Sequence, residues 1–246
     1  MNYNDFEIKE FKQERSLSIA EASSLLMRKV YLWMTLALVI TGVTAYGVAT
    51  SPGILQMIFG NTVLFWGLII AEFGLVFAIS SAINRLSLTV ATLLFVLYSV
   101  VNGATLSYIL ILYTSESVAN VFFITAATFG VMSLVGYTTK TDLSSMGKIL
   151  FMALIGLIIA TIVNLFIGSS GLNMIISYVG VLIFVGLTAY DTQKIKKMLA
   201  EAPDAGEYMQ KIALLGALTL YLDFITCLFI CSVSWAIESN IDKGIL

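Results

Sequence analysis

The sequence predicts an all-α polytopic membrane protein with seven transmembrane helices, and three observations carry that prediction. The 246 residues are 59% hydrophobic and only 11% charged, with a mean hydropathy of +0.96. Seven apolar runs follow one another with short polar gaps, each near the ~20 residues that cross a bilayer as a helix. The basic residues are also partitioned: with seven crossings, twelve of the thirteen Lys and Arg fall on one side. By the positive-inside rule that side is the cytoplasm, so the N-terminus lies inside and the C-terminus outside.

Taken in order, residues 1–29 hold five acids and five bases and end in Arg28-Lys29. Ile19, Ala22, Leu25 and Leu26 give the second half of this segment an amphipathic face, which reads as a cytoplasmic arm or surface helix. Span 1 is Val30–Ala49, closed by Thr50-Ser51-Pro52-Gly53; with no small-residue cleavage pattern it is a span rather than a signal peptide. Span 2 is Thr62–Ile83, followed by Asn84-Arg85, and span 3 is Leu88–Tyr113. Span 4, Val118–Tyr137, precedes a polar loop over 138–148, and span 5 is Ile149–Ile167. Span 6, Leu172–Tyr190, ends on Asp191; a lysine-rich loop then leads to span 7, Ile212–Ile237. The organisation is thus an arm (1–29), one seven-helix domain (30–237) and a short extracytoplasmic tail (238–246).

Chemistry at membrane depth rests on few residues. Asp223 lies in the middle of span 7, roughly 16 Å from its inner end, and Glu72 about 15 Å from the outer end of span 2. Both fall near the midplane of a ~30 Å hydrocarbon layer and could face each other. A charge there costs a few kcal/mol or more, so such a group is protonated, paired or lining a wet cavity. Asp191 and Arg85 each end a span on the cytoplasmic side and could pair to close the inner end of a pathway. Counting along the helices puts Asp191 about 10 Å nearer the cytoplasm than Asp223, against direct contact unless a helix shifts. If the two do meet, they must share a proton, which gives a pH switch in a chain that has no histidine. Asn102 and Asn164 read as hydrogen-bonding links between helices, Asp142 as a turn or cap acid, and Cys227 and Cys231 as packing residues.

The segments Gly186-Leu187-Thr188-Ala189-Tyr190-Asp191-Thr192-Gln193-Lys194-Ile195 and Ala217-Leu218-Thr219-Leu220-Tyr221-Leu222-Asp223-Phe224-Ile225 resemble the signatures of the transmembrane Bax inhibitor motif family, in its bacterial branch. The 138–143 loop and the Ala71-Glu72-Phe73-Gly74 region support the resemblance, which covers the chain from span 1 onward. It implies a seventh helix at the centre, wrapped by the other six, and a pH-sensitive calcium leak in a bacterial inner membrane. It also implies that Asp191, Asp223 and Glu72 form the proton-sensing and calcium-binding pathway, with Arg85 as the gating cation. Calcium would be the transported ion and no cofactor is implied. Thr226-Cys227 stands where the family has an asparagine followed by an apolar residue, and the tail is not basic.

Two functions follow as expectations. The first is a cation channel gated by the acidic pair; the second is an interaction protein that restrains a membrane-bound protease through the N-terminal arm, as some bacterial relatives do. Membrane lipid and calcium are the expected partners, and nucleic acid is not. No enzyme is expected: there is no histidine, no Gly-x-Ser-Gly element and no metal-spaced cluster, and no Gly-x-Gly-Asp element accompanies Asp223 for an aspartic protease dyad. Span 7 contains no lysine to hold retinal.

Overall fold

The structure is a computed structural model. It describes the backbone of residues 3–113, 115–202 and 206–242 and the side chains of 21–113, 116–169, 171–202 and 206–233. Among these residues there are α-helices and no strands: α1 (Tyr3–Ala49), α2 (Pro52–Phe59), α3 (Thr62–Ala82), α4 (Leu88–Leu112), α5 (Ser115–Thr138), α6 (Ser144–Ile167), α7 (Ser170–Ala200) and α8 (Glu207–Asp242). All but α2 are long and apolar enough to cross a membrane.

Several boundaries differ from the sequence reading. The arm and span 1 form one helix, because no Gly or Pro interrupts residues 3–41. The turn after Ala49 contains the short α2, which starts at Pro52, where a missing N–H costs nothing. Helix α7 does not stop at Asp191 but runs on through good helix formers to Ala200, so Lys194, Lys196 and Lys197 of the expected loop lie on α7 and Lys211 on α8. The backbone of α8 reaches Asp242, so the start of the expected 238–246 tail is helical; residues 243–246 lie outside the described residues.

Helix α8 is the centre. In its apolar stretch 56% of residues are buried, against 6% in α3 and α6, as expected of a helix that is apolar all round. It packs on α7, α1, α5 and α4, while α3 joins the ring through α4 and α6 through α7. Tyr221, Leu218, Leu220 and Ala217 are wholly enclosed, whereas Phe73, Phe77, Leu165 and Phe166 point outward, as a hydrocarbon solvent requires. Small residues set the tightest crossings. A Cβ on Gly103 would stand 2.6 Å from the Thr41 carbonyl oxygen, and one on Gly136 would strike the backbone of Ala189.

Candidate functional site

Two neighbouring residues on α8 look in different directions. At about 100° per residue Tyr221 and Asp223 are some 200° apart around the helix. Tyr221 faces α1 and α4, where its hydroxyl shares a 2.6 Å hydrogen bond with Thr41 and donates to Asn102 Oδ1 at 3.1 Å. Asp223 faces α7, and its carboxyl lies close enough to that of Asp191 for the two to interact. Asp223 is only 6% exposed, and its Oδ2 has no hydrogen-bond partner among the described residues. Asp191 is half-buried. Two carboxyl groups side by side can hydrogen-bond only when one of them carries a proton.

The packing of α7 on α8 bears on a point that counting along the helices left open. Ile195 packs against Gly216, and Ile230 against Gly180, so α7 and α8 run antiparallel with Asp191 opposite residues 219–220. Asp223 is then about one turn away. Side chains tilt toward the N-terminus of their own helix, and in antiparallel neighbours those tilts converge, closing the gap. The earlier offset arose from placing the membrane edge at Asp191, whereas α7 continues for nine more residues, to Ala200.

The residues that follow Asp191 are tied to α5 and to the loop after it. Thr192 and Ser133 share a hydrogen bond at 3.0 Å, and Ser133 shares another with Tyr31 at 2.6 Å. Buried Gln193 accepts from the Leu143 N–H at 2.9 Å and donates to the Thr141 carbonyl at 2.8 Å. Lys196 donates to the Tyr137 carbonyl, and Lys197 forms a 2.7 Å ion pair with Asp142. Asp142 also accepts from the backbone and hydroxyl of Ser144, acting as a turn acid. The Lys197 hydrogen bond, then those from Ser144, hold the exposed Asp142 carboxyl well below the usual aspartate range.

Not every expected residue joins the pair. Glu72 accepts a hydrogen bond from Thr105 and is reached by the side chain of Asn102, so it belongs with the Tyr221–Asn102 network and not with the Asp191–Asp223 pair. It lines a cavity of about 760 Å³ with Leu222, Ile225, Thr226 and Phe229. The expected facing of Glu72 and Asp223 is therefore corrected: the two-residue offset between Tyr221 and Asp223 on α8 turns them some 200° apart, and Glu72 shares Asn102 with Tyr221. Among the described residues no three metal-ligating side chains cluster, so Asp191, Asp223 and Glu72 do not form one metal site. Arg85 is exposed in the α3–α4 turn, and α3 packs on α2 and α4 rather than on α7. The ion pairs among the described residues are Lys197–Asp142 and Lys211–Glu207, so the expected Arg85–Asp191 pair is not formed.

The cation whose charge reaches both aspartates is Lys194, one turn beyond Asp191. The Asp191-to-Lys194 spacing was the available signal for it, obscured by reading residue 191 as the end of a helix. Asn102 and Asn164 both link helices as expected: Asn102 accepts from Tyr221, and Asn164 on α6 donates to Asn173 on α7 and accepts from the Ser169 N–H of the turn between them. Cys227 and Cys231 remain free thiols.

Comparison with known proteins agrees with this architecture. Residues 23–231 match the model of the family described as inhibitor of apoptosis-promoting Bax1. Inner membrane protein YbhL of Escherichia coli is 50% identical over 201 residues, spanning 81% of this chain and 86% of the relative. A Borreliella burgdorferi protein is 49% identical over 199 residues (81% and 86%), and one from Rickettsia prowazekii 43% over 203 residues (81% and 84%). With the family model covering α1 to α8 and these relatives matching most of their own length, the chain belongs to the Bax inhibitor family of membrane proteins.

Proposed function

We propose that this chain is a cation leak pathway of a bacterial inner membrane, carrying calcium and closed by protonation of the Asp191–Asp223 pair. The observation that supports the reading is the approach of these two carboxyls beside the central helix, with Asp223 buried. Carboxylate oxygens are hard ligands suited to calcium. While a proton bridges the pair, α7 is held on α8 and no vacant carboxylate is offered. Losing that proton leaves two repelling charges that part or take up a cation. The charged and titratable neighbours of the pair are Lys194 and Cys227, and Lys194 takes the counter-charge role expected of Arg85. An inner-membrane location is supported by the name of the Escherichia coli relative and by the seven apolar helices, and the basic residues favour a cytoplasmic N-terminus.

The test is calcium flux into proteoliposomes between pH 5 and 8, for the wild type and for Asp223→Asn. Flux should rise with pH in the wild type, and the variant should change its rate or its pH midpoint. Equal, pH-insensitive flux in both overturns the channel. It would favour a partner-binding role, for which the observation is that α1 continues as a helix from Tyr3 ahead of its membrane-spanning part.

A further inference from the structure

A cleft of about 680 Å³ lies between α1 and α5, within the size range of small-molecule sites. Its walls are apolar (Met34, Leu38, Phe129 and Phe224), and it opens sideways past Phe122 and Leu134, both exposed. Among the described residues α1 and α5 scarcely pack on one another; the Tyr31–Ser133 hydrogen bond is the link between them in this cleft. In a bilayer such a slot does not stay empty, since its lining would lose dispersion contacts, and it is too apolar to hold ordered water. Hydrocarbon chains border it and can fill it.

The end of the cleft is not apolar. Arg28 lines it and is exposed, one turn from Tyr31. Tyr137 lines the same end and carries the Lys196 ammonium 4.6 Å from its ring centroid. At this end α1 runs on as helix toward Tyr3. An apolar slot ending in cations near the bilayer surface complements an acyl chain with an anionic headgroup, and each basic residue there is worth about 1 kcal/mol toward anionic lipid.

We propose that the α1–α5 cleft binds one anionic phospholipid, with an acyl chain between the helices and the phosphate at Arg28. The site is distinct from the acidic pair and is tested by binding alone, so its fate is separate from that of the flux reading.

The experiment is native mass spectrometry of the full chain in detergent, titrated with phosphatidylglycerol and with phosphatidylcholine, with a thermal melt of each variant as a folding control. The wild type should retain one phosphatidylglycerol at least about fivefold more tightly than phosphatidylcholine, the ratio that ~1 kcal/mol per cation gives. Arg28→Gln should weaken phosphatidylglycerol about fivefold and leave phosphatidylcholine unchanged. Gly130→Phe should weaken both lipids, because Gly130 lines the cleft and a Cβ there meets nothing within 4 Å, so the ring occupies the slot without displacing the fold. Inorganic phosphate should not displace the lipid. Equal retention of the two lipids by the wild type, unchanged binding in Gly130→Phe, or displacement by phosphate overturns the assignment.

Discussion

Removing one oxygen from Tyr221 tests how the central helix is held. The ring is fully enclosed and packs edge-on against Phe95 and Tyr98, so Tyr221→Phe keeps the packing and deletes the hydrogen bonds to Thr41 and Asn102. Interhelical hydrogen bonds in membrane proteins average about 0.6 kcal/mol each and reach about 1.7. Two bonds from one buried hydroxyl therefore give an expected loss of about 1–2 kcal/mol. Thr41→Val removes the same bond from the α1 side, together with the 3.0 Å contact to the Ser99 carbonyl that competes for the single Thr41 proton. Equilibrium unfolding of the reconstituted protein, measured for the wild type, both single variants and the double variant, isolates the Tyr221–Thr41 coupling. It should be near 1 kcal/mol, because that bond, at 2.6 Å, is the shorter of the two that Tyr221 makes. Additivity of the two substitutions to within ~0.3 kcal/mol would refute the argument that this hydroxyl fastens α8 to α1.

Gly103→Ala should destabilise by about 1–2 kcal/mol despite Ala's better helix propensity, because its Cβ would lie 2.6 Å from the Thr41 carbonyl and α1 and α4 would have to part; the same unfolding measurement checks it, and a neutral result would show that the crossing is slack. The Asp142 carboxyl should titrate below the ordinary aspartate value of about 3.9 by carboxyl-carbon NMR, and Lys197→Met should return it toward that value. Its folded-state pKa is depressed, so the contribution of this contact to stability is present above the ordinary aspartate range and fades as pH falls through the folded value. An Asp142 that titrates normally in the wild type would mean that the loop is not held to α7 by this pair.

The seven crossings were legible because hydrocarbon leaves few alternatives: each run of ~20 apolar residues must be helical to satisfy its backbone. Helix ends were harder to read. Asp191 looked like a terminus because polarity begins there, but Thr192-Gln193-Lys194 remains helical, with Thr192 bonded to Ser133 and Gln193 to the 141–143 loop. Polarity marks where water or a partner is met, and here the partner is protein. The separation of Glu72 from Asp223 was not legible either. Depth can be counted from a span end, but the direction a residue faces depends on which neighbour each helix face meets, and α3 reaches α8 only across the cavity that Glu72 lines.

The orientation of Asp223 follows from that of Tyr221. A helix has one rotational setting about its axis, and on α8 two opposed polar residues determine it: Tyr221 bonds toward α1 and α4, and some 200° away Asp223 meets Asp191 on α7. These two anchors add direction to the close apolar packing that already encloses α8. With both in place, moving Asp223 away from Asp191 by rotating α8 would also break the Tyr221 bonds. Opening the pair without that cost requires α7 to move instead. Helix α7 is tethered through residues 192, 193, 196 and 197 to α5 and the loop that follows it, so the Asp142–Lys197 and Gln193 contacts are what such a movement would have to break.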